Sequence, residues 1–446
     1  MMGSIARQIL HTLATKGLTA GGRVGLTVIL GAALTPADYG AYALVMTLGS
    51  FGVLLLGGNL YAYLHRAVPG RPAAEQLSLF KTTFIVEMIA TASLLTLLWL
   101  SGAVPAFLRL MNAEGYDAPF VIGLGLLLLL VALAEVTSLL QARTDIEAAN
   151  WVDVLSQAAW VTPLAILWAT GSRIDVSSVL LAQIGGGCVA LLIGFWRIGL
   201  AEWWRAAPQW SQVRIALAFG AAMMLPSLSF YGLKLADRFV LSAFWSLQEV
   251  GLYSFAYSFV NMLYTFSAWA IFTTLGPRII AAHNLGDVGQ RDLLQTYMLK
   301  VALVAFAAGA VVLMLVFGPL AAAIARPEYA GAAGVIPALT LAQLIIIAAY
   351  PAGNLLFMQN RVRASAAVDV LGVVVCLGAD VLLIPKWSYY GAAWASVLGF
   401  GTVLVGKYAL SGALSTLRRD VLFSVAGERQ LAADYFRHLL RGAGRA

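Results

Sequence analysis

Residues 121–140 read Val-Ile-Gly-Leu-Gly-Leu-Leu-Leu-Leu-Leu-Val-Ala-Leu-Ala-Glu-Val-Thr-Ser-Leu-Leu and contain a single charged side chain, Glu135. A helix needs about 20 mostly apolar residues to cross the hydrocarbon core of a bilayer. Runs of this kind recur along the whole chain. The run therefore predicts one membrane-spanning helix, and its recurrence predicts an all-α polytopic membrane protein.

The composition of the 446-residue chain supports this interpretation, because 61% of the residues are hydrophobic and only 11% are charged. The mean hydropathy is +0.85. Soluble domains carry about 25% charged residues, so this composition excludes a water-soluble enzyme, a disordered protein and a secreted disulfide scaffold. The two cysteines, Cys188 and Cys376, each lie within an apolar run and indicate neither a disulfide nor a metal site.

Runs of spanning length predict about twelve transmembrane helices in two groups of six. They lie near residues 19–34, 39–64, 77–100, 119–140, 150–169, 177–196, 215–243, 250–275, 294–317, 334–357, 364–384 and 390–410. A polar, Trp-rich connection over residues 198–212 separates the groups. We therefore expect an N-terminal lobe over residues 1–200, a C-terminal lobe over residues 201–415, and a basic, amphipathic tail over residues 416–446.

The two groups of helices also share short sequence motifs in the same order. Residues 36–42, Pro-Ala-Asp-Tyr-Gly-Ala-Tyr, correspond to residues 247–253, Leu-Gln-Glu-Val-Gly-Leu-Tyr, at an offset of 211. Val-Asp-Val-Leu at residues 152–155 recurs at residues 368–371, an offset of 216. Matches at nearly constant offset predict two homologous halves. Because six is even, both halves have the same orientation in the membrane, which is a known transporter arrangement.

The basic residues predict the orientation of the protein. With both termini inside, 19 of the 28 Lys and Arg residues fall on cytoplasmic segments and four on outside loops. Cytoplasmic loops of membrane proteins carry an excess of Lys and Arg. The net charge of +7 is therefore explained by topology and does not indicate a nucleic-acid partner. We expect a multi-pass protein of the cytoplasmic (inner) membrane with both termini in the cytoplasm.

Three motifs resemble the polysaccharide-transporter branch of the multidrug/oligosaccharidyl-lipid/polysaccharide (MOP) flippase superfamily, which includes Wzx-type O-antigen flippases. They are the turn Pro36-Ala-Asp38-Tyr39-Gly40-Ala-Tyr42, the stretch Lys234-Leu-Ala-Asp237-Arg238 followed by Glu249-Val-Gly251-Leu-Tyr253, and Tyr390-Gly391 at the start of the last span. The resemblance covers nearly the whole chain. It implies a V-shaped pair of six-helix lobes, like that of the multidrug and toxin extrusion (MATE) transporters, which opens a central cavity to each side in turn.

The resemblance also implies the cargo, an oligosaccharide linked to undecaprenyl pyrophosphate, with glycosyltransferases and a polymerase as possible protein partners. Translocation would be driven by an ion gradient, such as H⁺ or Na⁺, or by consumption of the sugar. We expect no cofactor, because the sequence contains no phosphate-binding GxxxxGK[ST] run for ATP hydrolysis.

Charges within a bilayer are costly and therefore mark candidate functional sites. Arg23 in the first span and Lys234 and Arg238 in the seventh are candidate ligands of the pyrophosphate, since cations suit phosphate oxygens. Arg23 could instead snorkel or pair with an acid such as Glu87. Lys234 and Arg238, four residues apart, share a helical face, and Asp237 could neutralise either in a purely structural pair. Asn59 and Tyr264 are candidate sugar contacts.

Buried carboxyl groups can carry a coupling proton or sodium ion, and Glu87, Asp237 and Asp380 are the candidates here. A hydrogen-bonded structural carboxylate is the competing interpretation for each. The repeated pair Asp153 and Asp369 is predicted to lie in the first turn of its helices, where an anion is favoured by the helix dipole. We expect these two residues to act as helix caps.

Two other functions remain compatible with the sequence. An ion-coupled multidrug antiporter of the same superfamily would share the two lobes, but the basic pair Arg23 and Lys234 argues against a cationic cargo. A membrane polysaccharide polymerase or ligase typically needs a large external loop with catalytic groups. The longest predicted outside loops, residues 101–118 and 318–333, are short and nearly neutral, which argues against an enzyme.

Overall fold

The computed structural model describes residues 2–422, with side chains at residue 15, 17–268, 271–272 and 275–422. The described first half consists of helices joined by short turns. Their bounds are α1 (Met2–Ala33), α2 (Pro36–Leu56), α3 (Tyr61–Ala67), α4 (Ala73–Leu100), α5 (Ala103–Leu110), α6 (Asp117–Ala142), α7 (Ile146–Val154), α8 (Val161–Ala169) and α9 (Val176–Ile198). A π-helical turn, Leu155–Ala159, joins α7 to α8, so that they form one span.

The second half follows a short helix within the polar connection, α10 (Leu200–Arg205). Its helices are α11 (Val213–Leu235), α12 (Asp237–Phe244), α13 (Leu247–Tyr264), α14 (Ala270–Asn284), α15 (Val288–Ile324), α16 (Ile336–Met358), α17 (Val362–Ser411) and α18 (Arg419–Leu422). The helices α11 and α12 form one span, as do α13 and α14, which a second π-helical turn joins. The predicted tail lies largely outside the described residues.

Nine helices between residues 2 and 422 are long and apolar enough to cross a membrane. A shorter apolar helix, Gly17–Ala33, the combined α13–α14 helix and the second pass of α17 bring the number of passes to twelve. The helix α17 makes two passes because Ser388 adopts a non-helical conformation (φ 51°, ψ −136°) three residues after Pro385. The predicted all-α bundle of two six-helix lobes is confirmed.

The second predicted span, residues 39–64, is interrupted in the structure. The helix α2 ends at Leu56 and α3 begins at Tyr61. Between them Gly58 and Asn59 have φ values of 60° and 58°, a left-handed conformation that stops an α-helix. The prediction of one continuous helix is therefore wrong. The residues around the break at residues 57–60 are mostly apolar, so the hydropathy of the sequence does not indicate the break.

The two halves pack on each other mainly through α2 and α13, which are the equivalent helices of the sequence repeat. At one end of the bundle lie the turns that precede these helices, residues 34–36 and 245–247, and we call it the turn end. At the other end lie Arg66, Arg71 and Arg214, and we call it the basic end. The membrane-crossing helices connect the two ends.

The predicted capping roles of Asp153 and Asp369 are wrong. Asp153 is the penultimate residue of α7, whose N-terminus is capped by Asp145. Asp369 lies two turns into α17 and forms an ion pair of 2.8 Å with Lys407. Both helices begin earlier than the apolar pattern indicated, so that the two carboxylates lie within helices.

Candidate functional site

A cavity of about 920 Å³ opens between the two halves at the basic end. We call it the basic cavity. Its lining includes Tyr63, Arg66, Arg71, Gln212, Arg214 and Phe219. Arg66 comes from α3 in the first half and lies 5.4 Å above the ring of Phe219 in the second. Arg71 lies 3.9 Å from Glu75. The basic cavity therefore presents guanidinium groups from both halves.

At the basic cavity, Tyr63 Oη of the first half donates a hydrogen bond of 3.0 Å to Gln212 Oε1 of the second. More bonds join the halves at the turn end. Tyr39 Oη lies 3.2 Å from Ser258 Oγ, and Asn112 Nδ2 donates to the main-chain oxygens of Ser242 (2.9 Å) and Ala243 (3.2 Å). The halves are thus closed on each other at the turn end and parted by a cavity at the basic end.

Lys234 lies in the last turn of α11 with its ammonium group between two aromatic rings. Its Nζ is 4.7 Å from the ring centre of Phe230 and 4.5 Å from that of Tyr264. Within the described residues its ammonium group has no ion-pair partner, and Asp237 instead lies 3.3 Å from Arg238. Two predicted cargo residues, Lys234 and Tyr264, therefore lie together. Aromatic faces attract a cation without neutralising it, so this charge remains available to an anion.

Arg23 occupies the equivalent position in the first half, 211 residues before Lys234. This is the same offset that relates the two turn motifs. Its guanidinium donates a hydrogen bond to Gln157 in the π-helical turn and interacts with Asp153. Glu87, the partner considered from the sequence, instead binds the main chain of Leu60. The side chain of Arg23 is exposed.

Arg238 and Asp237 lie at the start of α12 and are buried, with exposures of 4% and 3%. The Arg238 guanidinium donates to Ser254 Oγ (3.1 Å) and to the main-chain oxygen of Lys234 (3.0 Å). The hydroxyl of Tyr253 donates to Asp237. In this arrangement Arg238 holds α12 against α13 and does not face the basic cavity.

Asp380 on α17 is fully buried, and its electrostatic interaction with Asp237 brings two predicted coupling residues together. The thiol of Cys376 lies 3.9 Å from Asp380 Oδ2, and the other oxygen, Oδ1, has no hydrogen-bond partner in the described structure. The charges of Asp237 and Asp380 thus interact within the second half.

Glu87 and Asn59 lie in the first half and are each 1% exposed. Glu87 Oε1 accepts a hydrogen bond of 2.9 Å from the main-chain nitrogen of Leu60, the residue after Asn59. The predicted sugar contact Asn59 and the predicted coupling residue Glu87 therefore share one buried site, which also includes Glu135.

From the sequence alone, Arg66, Arg71 and Arg214 indicate only the topology of the chain. They lie near the ends of the second and seventh predicted spans, which the internal repeat does not relate to each other. Their convergence depends on the packing of α3 against α11, and no local pattern in the sequence reports that contact.

A family model described as polysaccharide biosynthesis protein matches residues 5–283. The chain belongs to this family. Among curated proteins, no sequence matches it at a significant level. The matched residues include nearly all of the first half and α11 to α13, and hence Arg23, the basic cavity and Lys234.

Several solved structures share the fold of this chain. An inward-facing multidrug resistance MATE family transporter of the MOP superfamily matches with a TM-score of 0.72 and 15% identity, over 91% of this chain and 99% of that one. The lipid II flippase MurJ, in an inward closed conformation, matches with a TM-score of 0.73 and 12% identity, over 94% and 89%. At these identities the likeness shows the fold of this polysaccharide biosynthesis protein.

The likeness depends on the conformation of the compared structure. An outward-facing MATE family transporter of the MOP superfamily matches with a TM-score of only 0.53 and 14% identity, over 92% of this chain and 96% of that one. Its inward-facing counterpart reaches 0.72.

Proposed function

We propose that the protein moves an oligosaccharide linked to undecaprenyl pyrophosphate across the cytoplasmic membrane by alternating access. The basic cavity carries this proposal. Arg66 and Arg214 approach it from opposite halves and are exposed, and guanidinium groups bind phosphate oxygens in pairs of parallel hydrogen bonds. A lipid-linked pyrophosphate is an anion of the size and charge that such a cavity accommodates.

The positions of the other cations support a path for the head group. Along α11, Arg214 lies in the first turn and Lys234 in the last, roughly 30 Å apart at the helical rise of 1.5 Å per residue. Arg23 takes the equivalent place in α1. The pyrophosphate enters at the basic cavity and passes to Arg23 and Lys234 as the lobes rearrange, and Tyr264 contacts the sugar.

Energy for the movement comes from a cation gradient in this proposal. Asp237 acts electrostatically on Asp380, and Asp380 Oδ1 has no hydrogen-bond partner among the described residues. A H⁺ or Na⁺ ion bound at this oxygen would supply the missing hydrogen bond or positive charge. The basic end faces the cytoplasm, in accordance with the distribution of Lys and Arg. Enzymes that assemble the lipid-linked oligosaccharide supply the cargo on that side.

The proposal is tested by reconstitution of the protein into liposomes that contain a fluorescent undecaprenyl-pyrophosphate oligosaccharide. A membrane-impermeant quencher reports how much cargo lies in the outer leaflet. We expect an imposed cation gradient to change that fraction only in liposomes that contain the protein. An unchanged fraction under both proton and sodium gradients would contradict the proposal.

The same liposomes test the multidrug antiporter. Efflux of a cationic dye under an ion gradient, without movement of the lipid-linked oligosaccharide, would favour antiport. We expect the opposite result, because the exposed charges of the basic cavity are positive and repel a cation. The double variant Arg66→Glu/Arg214→Glu should lose oligosaccharide movement, and Arg205→Glu, an exposed arginine on α10, is its matched control.

A further inference from the structure

Two buried carboxyl groups, Glu87 on α4 and Glu135 on α6, lie against each other in the first half of the chain. They are 1% and 0% exposed. Glu87 Oε1 accepts from the main-chain nitrogen of Leu60 (2.9 Å), and Glu135 Oε2 accepts from Thr83 Oγ1 (3.1 Å). The remaining oxygens, Glu87 Oε2 and Glu135 Oε1, have no donor among the described residues, yet the two carboxyl groups lie within hydrogen-bonding reach of each other.

The surroundings of this pair contain little that could neutralise two negative charges. Among the described residues, the titratable groups that interact electrostatically with Glu87 are Glu135 from α6 and Tyr61 from α3. Tyr231 of the helix α11 interacts electrostatically with Tyr61. Two carboxylates in contact in an apolar site repel strongly, and one shared proton both removes that repulsion and supplies the missing hydrogen bond.

Residues 57–60 connect the pair of Glu87 and Glu135 to a contact between the two halves. Glu87 binds Leu60 at the end of the break at residues 57–60, which separates α2 from α3. The same break touches the second half, because a Cβ atom built on Gly220 of α11 would lie 2.1 Å from the main-chain oxygen of Gly58. A movement of Glu87 is therefore transmitted to the point where the backbones of the two halves meet.

We propose that Glu87 and Glu135 form a proton-binding site that holds one shared proton, and that the proton, acting through residues 57–60, favours the arrangement of the halves described above. The inference rests on the proposed alternating-access function and assigns it a proton site in the first half. Loss of the proton leaves two carboxylates in contact, so that Glu87 leaves Leu60 and the contact between Gly58 and Gly220 is released. Tyr61 is half-buried and interacts electrostatically with Glu87 and Tyr231.

The experiment measures the opening of the basic end as a function of pH. Spin labels are attached to Ala67→Cys and Ala218→Cys, which line the basic cavity from opposite halves, in a chain with Cys188→Ser. Distances are recorded in proteoliposomes by double electron–electron resonance. We expect the open arrangement to lose population as the pH rises, with a change in the population ratio of about 5- to 150-fold, the usual range for coupling between two sites.

The variant Glu87→Gln/Glu135→Gln replaces the shared proton with an amide hydrogen and keeps an oxygen for Leu60. We expect it to show the wild-type distance of low pH at every pH. The matched control is Glu114→Gln, an exposed acid in the turn before α6, which should retain the wild-type response.

Several results would overturn the inference. A pH response retained in the double variant would show that another group binds the proton, and a shift produced by sodium at constant pH would show that the site binds a metal cation. If the double variant unfolds at a lower temperature than the wild type, the single variant Glu87→Gln is used in its place. The pH response must then be weaker in Glu87→Gln than in the wild type. The proposed function has its own readout, since failure of the wild type to move lipid-linked oligosaccharide contradicts that function whatever the distances show.

Discussion

At the turn end, Gly40 of α2 packs against α13, and Gly251 of α13 packs against α2 in the same way. A Cβ atom built on Gly40 would lie 1.9 Å from the main-chain oxygen of Leu247, and one built on Gly251 would lie 1.7 Å from that of Pro36. Each pair, Pro36 with Leu247 and Gly40 with Gly251, is related by the repeat offset of 211 residues. The two halves thus close the turn end with equivalent surfaces.

Replacement of either glycine should open the turn end. The variants Gly40→Ala and Gly251→Ala place a methyl group where main-chain atoms now lie, and overpacking of this kind costs about 1–3 kcal/mol. Even the lower value reduces the closed population about fivefold. Distance measurements between labels on α2 and α13 at the turn end should show the separation, together with reduced oligosaccharide transport.

The control for this prediction is Gly125→Ala on α6, where an added Cβ has no neighbour within 4 Å. It should leave both the distance and the transport unchanged. A closed turn end in Gly251→Ala at the wild-type distance would contradict the proposed role of the contact.

The symmetric glycine contact also shows what the sequence could and could not predict. The offset of 211 residues is visible in the sequence and predicts two homologous halves. The contact itself depends on how the halves pack, which no local pattern contains. Arg238 illustrates the same limit. Its spacing from Lys234 predicts one shared helical face, but the sequence does not show that Arg238 packs on Tyr257 of α13 at 4.6 Å.

Reversal of the charge at Lys234 should abolish export without unfolding the protein. In Lys234→Glu the carboxylate would face the cargo's pyrophosphate with the wrong sign, and it would also oppose the electron-rich faces of Phe230 and Tyr264. Lys234→Arg keeps the positive charge and should retain most of the transport. Surface glycan in cells and oligosaccharide movement in liposomes provide the two measurements.

The combination Arg23→Glu/Lys234→Glu is the stricter test, because it removes both members of the repeat-related pair. Lys386→Glu, at an exposed lysine near the turn end, is the matched control and should transport normally. Wild-type surface glycan in the double variant would show that neither cation takes part in translocation.

Loss of the arginines of the basic cavity should weaken binding of the lipid carrier. In Arg66→Gln/Arg214→Gln two cations are removed, and each charged hydrogen bond contributes about 1.5–3 kcal/mol. We expect undecaprenyl pyrophosphate to bind about tenfold more weakly or worse, as measured by titration of the protein in nanodiscs. Wild-type binding should also weaken with added salt, because exposed charges are screened.

Specificity for the pyrophosphate is checked with undecaprenyl phosphate and with an uncharged undecaprenol as competing ligands. The arginine variant should lose the discrimination between them, whereas Arg205→Gln should keep it. Equal binding of all three lipids by the wild type would mean that the isoprenoid chain, and not the anion, is recognised.

The buried pair of Asp237 and Arg238 should respond asymmetrically to substitution. Asp237→Ala leaves a buried guanidinium that cannot lose its charge, and breaking a buried pair in this way costs about 3–5 kcal/mol. Arg238→Met leaves an aspartate that can take up a proton and that still accepts from Tyr253, so its cost is smaller. The temperature of unfolding in detergent should therefore be highest for the wild type, lower for Arg238→Met and lowest for Asp237→Ala.

The double variant Asp237→Ala/Arg238→Met should recover much of the stability lost in Asp237→Ala, because no unpaired charge remains. A double variant less stable than Asp237→Ala would contradict this account of the pair.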